Sequence, residues 1–302
     1  MKDDNIVLSI YVATYNHEKY IVQALESIRM QKTQYTYEVL VGEDCSTDKT
    51  REVLKEYERT HPGFLKVYYR EHNMYKEKIN NAADLKKRCT GKYIIALEGD
   101  DYWIDPYKIE KQISFLESHD DYLAVAHNCM VVNEKSKQID EKYPECYDSE
   151  YELKHYMRGV LPGQLTTVMY RNYLTNDIFD TSFLNCGIQP GDKRLFFSLI
   201  CNGKIRCMQE KMSAYRHVTN GGSSYSANVK HNFEKQRIWY LEQLKYAYRI
   251  KNESAVKIAE YLYIKEVLAG IKNGDCSIRE TLTYIKVIEH KWRSFSMLLI
   301  NR

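Results

Sequence analysis

Three carboxylates fall within four residues at Glu98-Gly99-Asp100-Asp101, directly after the apolar run Tyr93 to Leu97. Carboxylates this close repel one another, and a shared cation removes that cost. Oxygen ligands of this kind suit Mg²⁺ or Mn²⁺, which are held by one or two carboxylates together with substrate phosphates. An ion placed there could neutralise a departing pyrophosphate. The same residues would also make a solvated acidic turn or a helix cap, but their position at the end of a buried strand favours the ligand reading. A second acidic segment, Glu43-Asp44-Cys45-Ser46-Thr47-Asp48, ends the short run Tyr37 to Val41. Asp44 could accept a hydrogen bond from a base imide while Ser46 or Asp48 caps the next helix; capping alone accounts for the segment equally well.

The elements that must position these groups alternate along the first hundred residues. Ile6 to Ala13 is a β-rich apolar run broken by Thr14-Tyr15-Asn16-His17, and Ile21, Leu25 and Ile28 then recur at helical spacing. Val53, Leu54 and Tyr57 mark a second helix, Phe64 to Tyr69 a third strand, Ala82 to Arg88 a helix and Tyr93 to Leu97 a fourth strand. Strand and helix in alternation predict a parallel sheet covered on both faces, with ligands in the crevice at the carboxyl ends of the strands. Thr14, Asp44 and the pair Asp100/Asp101 each follow directly on a predicted strand end. Further on, the spacing predicts a helix over 108–117, a strand over 123–132 and a polar surface excursion over 134–148. From about Lys230 helical periodicity dominates, broken at Gly270 to Ser277 and resumed from Ile285 to Ile300, which predicts a helical C-terminal appendage.

Bulk properties narrow the function classes. The chain has 44 basic and 41 acidic residues in 302, a net charge of only +3, so no electrostatic case exists for a nucleic-acid partner. No run reaches the roughly 18 apolar residues of a membrane helix, and Met1 to Asn5 lead into a strand without the apolar stretch of a signal peptide. The eight cysteines are scattered without a CxxC pair, which favours reduced, buried thiols over zinc or disulfides. The expected location is the cytoplasm, with peripheral contact at the inner face of the membrane as a further option. His127 and Cys186 are expected to be core or wall residues.

Four segments carry a family resemblance. Ser9-Ile10-Tyr11-Val12-Ala13-Thr14-Tyr15-Asn16 with Ala24-Leu25-Glu26-Ser27-Ile28 and Gln31 resembles the opening of family 2 glycosyltransferases. Glu43 to Thr50 resembles their acidic second motif. Glu98-Gly99-Asp100-Asp101-Tyr102-Trp103, continued by Pro106, Lys108, Lys111 and Gln112, resembles their DxD-like metal motif. The similarity spans about residues 5 to 225. It implies a GT-A fold, in which a Rossmann-like, mainly parallel mixed sheet is flanked by helices. The catalytic domain would span 1–228 (nucleotide-sugar half about 1–105, acceptor half about 106–228), followed by the helical region 229–302. The implied activity is inverting transfer of a sugar from a nucleotide-diphosphate donor, of UDP type, to a hydroxyl of a saccharide, lipid-linked saccharide or glycoprotein. Bacterial surface polysaccharide or glycoconjugate synthesis is the implied setting.

The resemblance also implies roles. Thr14, Tyr15, Asn16, Glu43 and Asp44 would surround the nucleotide, Asp100 would reach the ribose or sugar, and Asp101 would ligate Mn²⁺ or Mg²⁺. Arg70 would touch the nucleotide or serve as a surface charge. Gly191-Asp192-Lys193-Arg194 resembles the segment that supplies the general base, which makes Asp192 the catalytic candidate, with a helix N-cap as its alternative. Tyr215-Arg216-His217 resembles a segment that can bring a histidine to the metal, although the spacing from His217 to Gly221-Gly222 departs from the family's pattern. His217 is therefore either a ligand or a packing residue, and the glycines either a hinge or a loop. Gly163 to Met169 and Tyr170-Arg171-Asn172 are expected on the acceptor side. The competing readings are a sugar-phosphate nucleotidyltransferase, which would need a glycine-rich loop that Val12 to Asn16 lacks, and a non-catalytic binding or assembly module of the same fold. The C-terminal helices would pack on the catalytic domain, form a homodimer contact or lie on a membrane surface.

Overall fold

A computed structural model describes residues 6–74, 77, 79–176, 180–184, 191–217, 232–291, 296 and 297. Four strands, β1 (Leu8–Thr14), β2 (Tyr37–Glu43), β3 (Lys66–Tyr69) and β4 (Tyr93–Glu98), alternate with α1 (Ile21–Arg29), α2 (Thr50–Thr60) and α3 (Asn81–Arg88). They pair in parallel in the order β3-β2-β1-β4. Helices on both faces explain why β1 and β4 are almost wholly apolar rather than alternating. Leu8, Ile10, Val12, Ile94 and Ile95 are fully buried, and α1 turns Ile21, Ala24, Leu25 and Ile28 into the same core. The chain runs outward from β1 to β3 and returns on the other side of β1 as β4. That reversal leaves a crevice at the carboxyl ends of β1 and β4, where open α/β sheets bind ligands.

The sheet continues with β5 (Tyr102–Trp103), α4 (Lys108–Ser118), β6 (Tyr122–Val132), β7 (Glu150–Tyr151), β8 (Met169–Arg171) and β9 (Lys204–Arg216). β8 lies antiparallel between β4 and β6, β9 runs parallel to β6, and β5 and β7 pair antiparallel with β9. The sheet is thus mixed and mainly parallel, a GT-A arrangement. In α4, buried Lys108 donates to Gln112 Oε1 at 2.6 Å and sits 4.2 Å from the Trp103 ring centroid. Gln112 in turn donates to the Val125 and Thr167 carbonyls. The Lys108 and Gln112 positions therefore pin α4 to the sheet, and burial pushes the Lys108 ammonium well below its ordinary pKa.

The chain separates into two units, each made of interleaved stretches. The sheet unit comprises 1–151, 161–178 and 204–228, and contains the short α6 (Tyr173–Asn176) beyond β8. The second unit comprises 152–160, 179–203 and 229–302. It holds α5 (Leu153–Met157), α7 (Gly191–Asn202), α8 (Phe233–Arg249), α9 (Glu253–Asn273) and α10 (Ile278–Tyr284). Its aromatic core stacks Phe183 on Trp239 and Tyr246, at 5.5 and 5.1 Å between centroids, and Phe197 packs on Phe183 and Tyr156. The expected division at 228/229 is therefore not where this structure divides: α5 and α7 group with the C-terminal helices. The expected break at Gly270 also moves. Gly270 stays helical against the Phe233 ring, and the helix ends at Gly274, whose φ of 78° suits a left-handed cap. Among the described residues no helix is long and apolar enough to cross a membrane, and Cys45, Cys89, Cys129, Cys146, Cys201, Cys207 and Cys276 are in no disulfide. Cys186, Gly221-Gly222 and most of the Ile285 to Ile300 tract beyond Lys291 lie outside the described residues.

Candidate active site

The loops after β1 and β2 are stitched to each other before any ligand is considered. Asn16 Oδ1 accepts the Thr47 N–H at 2.8 Å, and the Asn16 N–H donates to Ser46 Oγ at 3.0 Å. The His17 N–H donates to Thr50 Oγ1, the Glu18 N–H to Asp48 Oδ2, and the Lys49 N–H back to Glu18. Asp48 also accepts the Thr50 N–H at 2.9 Å, an Asx-type turn ahead of α2, whose cap position is Lys49. Asn16 and Cys45 both take left-handed backbone angles, φ 57° and 56°. Non-glycine residues rarely do so, and such strain gathers at functional loops.

This stitching places Thr14 and Asp44 side by side. The Asp44 N–H donates to the Thr14 carbonyl at 3.0 Å, and Asp44 Oδ1 accepts the Met74 N–H at 2.7 Å. Thr14 Oγ1 lies 3.2 Å from His17 Nδ1, and His17 Nε2 lies 3.7 Å from Asp100 Oδ2. A line of polar groups therefore runs from the end of β1 to the turn after β4. Gly99 permits it: a Cβ there would stand 2.6 Å from Thr14 Oγ1 and 2.7 Å from His17 Nδ1. Gly99→Ala should accordingly destabilise the protein by about 1–3 kcal/mol, the usual cost of overpacking, and displace Asp100. Urea denaturation together with UDP titration checks both effects, and an unchanged midpoint would show that the neighbours give way freely.

The acidic turn separates into three environments. Glu98 is exposed, the Asp100 side chain is 19% exposed, and Asp101 is 1% exposed. Asp101 Oδ1 accepts the Arg216 backbone N–H at 2.8 Å, and its Oδ2 accepts Gln164 Nε2–H at 3.0 Å. Burial, with the charges of Asp100 and Glu98 beside it, holds the Asp101 carboxyl well above the usual range, against the pull of Arg216. Asp101 is thus sealed into the fold as an acceptor, and Asp100 presents the more open carboxylate. The expectation that Asp101 holds a metal meets this physical obstacle directly.

Other expected residues also turn out to brace the site. Glu43 is fully buried, with Oε1 on the Ser46 N–H and Oε2 on the Arg51 guanidinium, both at 2.6 Å. Arg70 reaches away to α3, pairing with Asp84 at 2.6 Å and with Asn81 at 3.1 Å. Both therefore have structural partners within the sheet unit. Tyr15 is half-buried in the β1–α1 loop. His217 Nδ1 pairs with Glu141 Oε2 at 2.7 Å. Among the described residues no three His, Cys, Asp or Glu side chains gather into a metal-holding group, which leaves room for an ion held by one or two carboxylates with donor phosphates. His127 is a buried wall residue, its ring bonded to the Asn128 carbonyl and its pKa pushed well down by burial. Asp192 stands in the second unit, in the first turn of α7, where its Oδ1 accepts the Lys193 N–H at 2.8 Å.

Sequence reasoning missed three residues. His17 sits in the loop after β1 but was visible only as a strand breaker. Gln164 falls in the stretch assigned to the acceptor side, and Arg216 stood beside the more conspicuous His217.

A mixed sheet of this order, with polar strand ends converging on a crevice and an acidic turn at β4, has the architecture that the family resemblance implies, a GT-A fold. A family model described as glycosyl transferase family 2 matches residues 9–177, more than half of the chain, and the chain belongs to that family. An uncharacterized protein of Mycobacterium tuberculosis is 28% identical over 215 residues, covering 71% of this chain and 60% of that relative's length. TuaG of Bacillus subtilis, named for teichuronic acid biosynthesis, is 32% identical over 110 residues, covering 36% of this chain and 42% of its own. The crystal structure of S. aureus TarS 1–349 with UDP-GlcNAc shares the fold, with a TM-score of 0.62 at 18% identity, over 93% of this chain and 79% of that one.

Proposed function

We propose that the chain transfers a sugar from a nucleotide-diphosphate donor, of UDP type, to an acceptor hydroxyl with inversion, in the synthesis of a bacterial surface polymer. The observation that carries the donor half is the convergence of Thr14, Asp44 and Asp100 at the ends of β1, β2 and β4, with Asp44 bonded to the Thr14 carbonyl and His17 between Thr14 and Asp100. Family membership supports the reaction class. The name of TuaG and the UDP-GlcNAc in TarS support the polymer setting and the donor type.

The residues present fit a hard divalent ion. Asp100 offers a partly open carboxylate with Glu98 exposed two residues away, which meets the one-or-two-carboxylate habit of Mg²⁺ and Mn²⁺. We assign the ion to Asp100, with donor phosphates completing its shell. When bound, it would neutralise charge on the leaving diphosphate. Thr14 and Asp44 would orient the base, His17 would hold Asp100, and Asp192 would take the proton from the acceptor hydroxyl. Inversion follows if the hydroxyl attacks in line with the departing diphosphate.

A thermal-shift panel of UDP-, GDP- and dTDP-sugars, with and without Mn²⁺, tests the donor assignment. A ligand at 100 times its Kd stabilises the folded state by about 2.7 kcal/mol. A UDP-sugar should raise the melting temperature most, and only with Mn²⁺ to the full extent. A panel in which no nucleotide sugar moves the transition would overturn the proposal.

A further inference from the structure

We propose that Arg216 is a positioning residue that fixes the acidic turn in its metal- and donor-binding geometry; this rests on the sugar-transfer reading above. One residue grips the turn twice. Its backbone N–H donates to Asp101 Oδ1 at 2.8 Å, and its Nε–H donates to the Asp100 carbonyl at 2.8 Å. The Asp100 side chain that faces the crevice therefore hangs from a main chain whose own carbonyl is clamped.

The rest of the guanidinium anchors that clamp to three other parts of the sheet unit. One terminal nitrogen donates to the Asn133 carbonyl at 3.0 Å and to Ser136 Oγ at 3.1 Å, and the other donates to Gln23 Oε1 at 2.8 Å. Tyr20 on the α1 side and Tyr102 of β5 flank the guanidinium, at 4.3 and 5.5 Å from their ring centroids. Arg216 is 1% exposed. The turn that receives it is itself shaped for the task. Ser136 takes a left-handed φ of 58°, and Asn133 Oδ1 gathers the Lys135 and Lys137 N–H groups, which presents the Asn133 carbonyl and the Ser136 hydroxyl to the cation. A rigid planar fork with flat faces satisfies all of these partners at once; the compact ammonium of lysine cannot.

A guanidinium that merely filled the core would affect stability alone. A positioning residue also changes how the turn receives an ion, and outer partners of a metal site are worth about 10–100-fold in metal affinity. The experiment titrates the full chain with Mn²⁺ in the presence of UDP, following free Mn²⁺ by electron paramagnetic resonance, with the melting temperature and UDP binding without metal recorded in parallel. Arg216→Lys should weaken Mn²⁺ binding by about 10–100-fold while metal-free UDP binding holds. Gln23→Ala keeps the buried cation and removes one acceptor, shared by Arg216 and Ser136 Oγ, so it should weaken Mn²⁺ binding in the same direction, by less, with the chain still folded. If Arg216→Lys does not fold, Gln23→Ala decides the matter. Mn²⁺ titrations equal to wild type in the folded variants overturn the inference alone. A wild-type chain that takes up no Mn²⁺ with UDP overturns the sugar-transfer reading and the inference with it.

Discussion

Asp192→Asn should lower the transfer rate by about 10²- to 10⁴-fold, the usual contribution of a general base, and leave donor binding as it is. The amide oxygen can still accept the Lys193 N–H that Asp192 Oδ1 holds at 2.8 Å. The start of α7 should therefore persist and the melting temperature should not move. What disappears is the negative oxygen proposed to take the acceptor proton. The measurement is kcat with a saturating UDP-sugar, beside the Kd for UDP and Mn²⁺. Transfer at the wild-type rate would place the base elsewhere and return Asp192 to helix capping.

The second large effect separates two adjacent aspartates. Asp100→Asn should cost about 10²- to 10³-fold in kcat/KM, the magnitude seen when one preorganised electrostatic group is removed, and abolish the Mn²⁺-dependent part of UDP binding. Its side chain is partly open, so the fold should tolerate the change. Asp101→Ala should do the reverse. It leaves the buried Arg216 backbone N–H and the Gln164 amide without their acceptor. A buried donor left unsatisfied costs about 1–3 kcal/mol, so its main signature is a lower unfolding midpoint in urea. If Asp101→Ala kept wild-type stability and lost only metal-assisted binding, the two assignments would have to be exchanged.

These contrasts also show what the sequence could reveal. β1, β2 and β4 were legible because burial leaves nearly unbroken apolar runs, and Thr14, Asp44 and Asp100 were legible because each directly ends one. β9 was not, because Gln209, Glu210 and Lys211 interrupt its core-facing residues and the register against β6 slips near Asn128. The distinction between Asp100 and Asp101 was out of reach for a deeper reason. Adjacent identical residues carry no mark of which one faces a crevice; that depends on Arg216 and Gln164, 115 and 63 positions away. Glu43 and Arg70 have partners that the sequence did not point to. Their charges sit near the strand ends, but Arg51 and Asp84 already claim them.

The interleaving of the two units carries a consequence for anyone wishing to cut this protein. A single break after residue 228 looks natural, because helical periodicity begins there. Such a cut would carry off Trp239, Tyr246 and Gln243 while leaving behind Phe183, Asn202 and Tyr156, the groups they stack on and bond to. The severed front piece would retain α7, and Asp192 with it, but would bare the aromatic face that α8 covers. The helical tail is thus less an appendage than the missing half of a core that the chain enters and leaves twice before completing it.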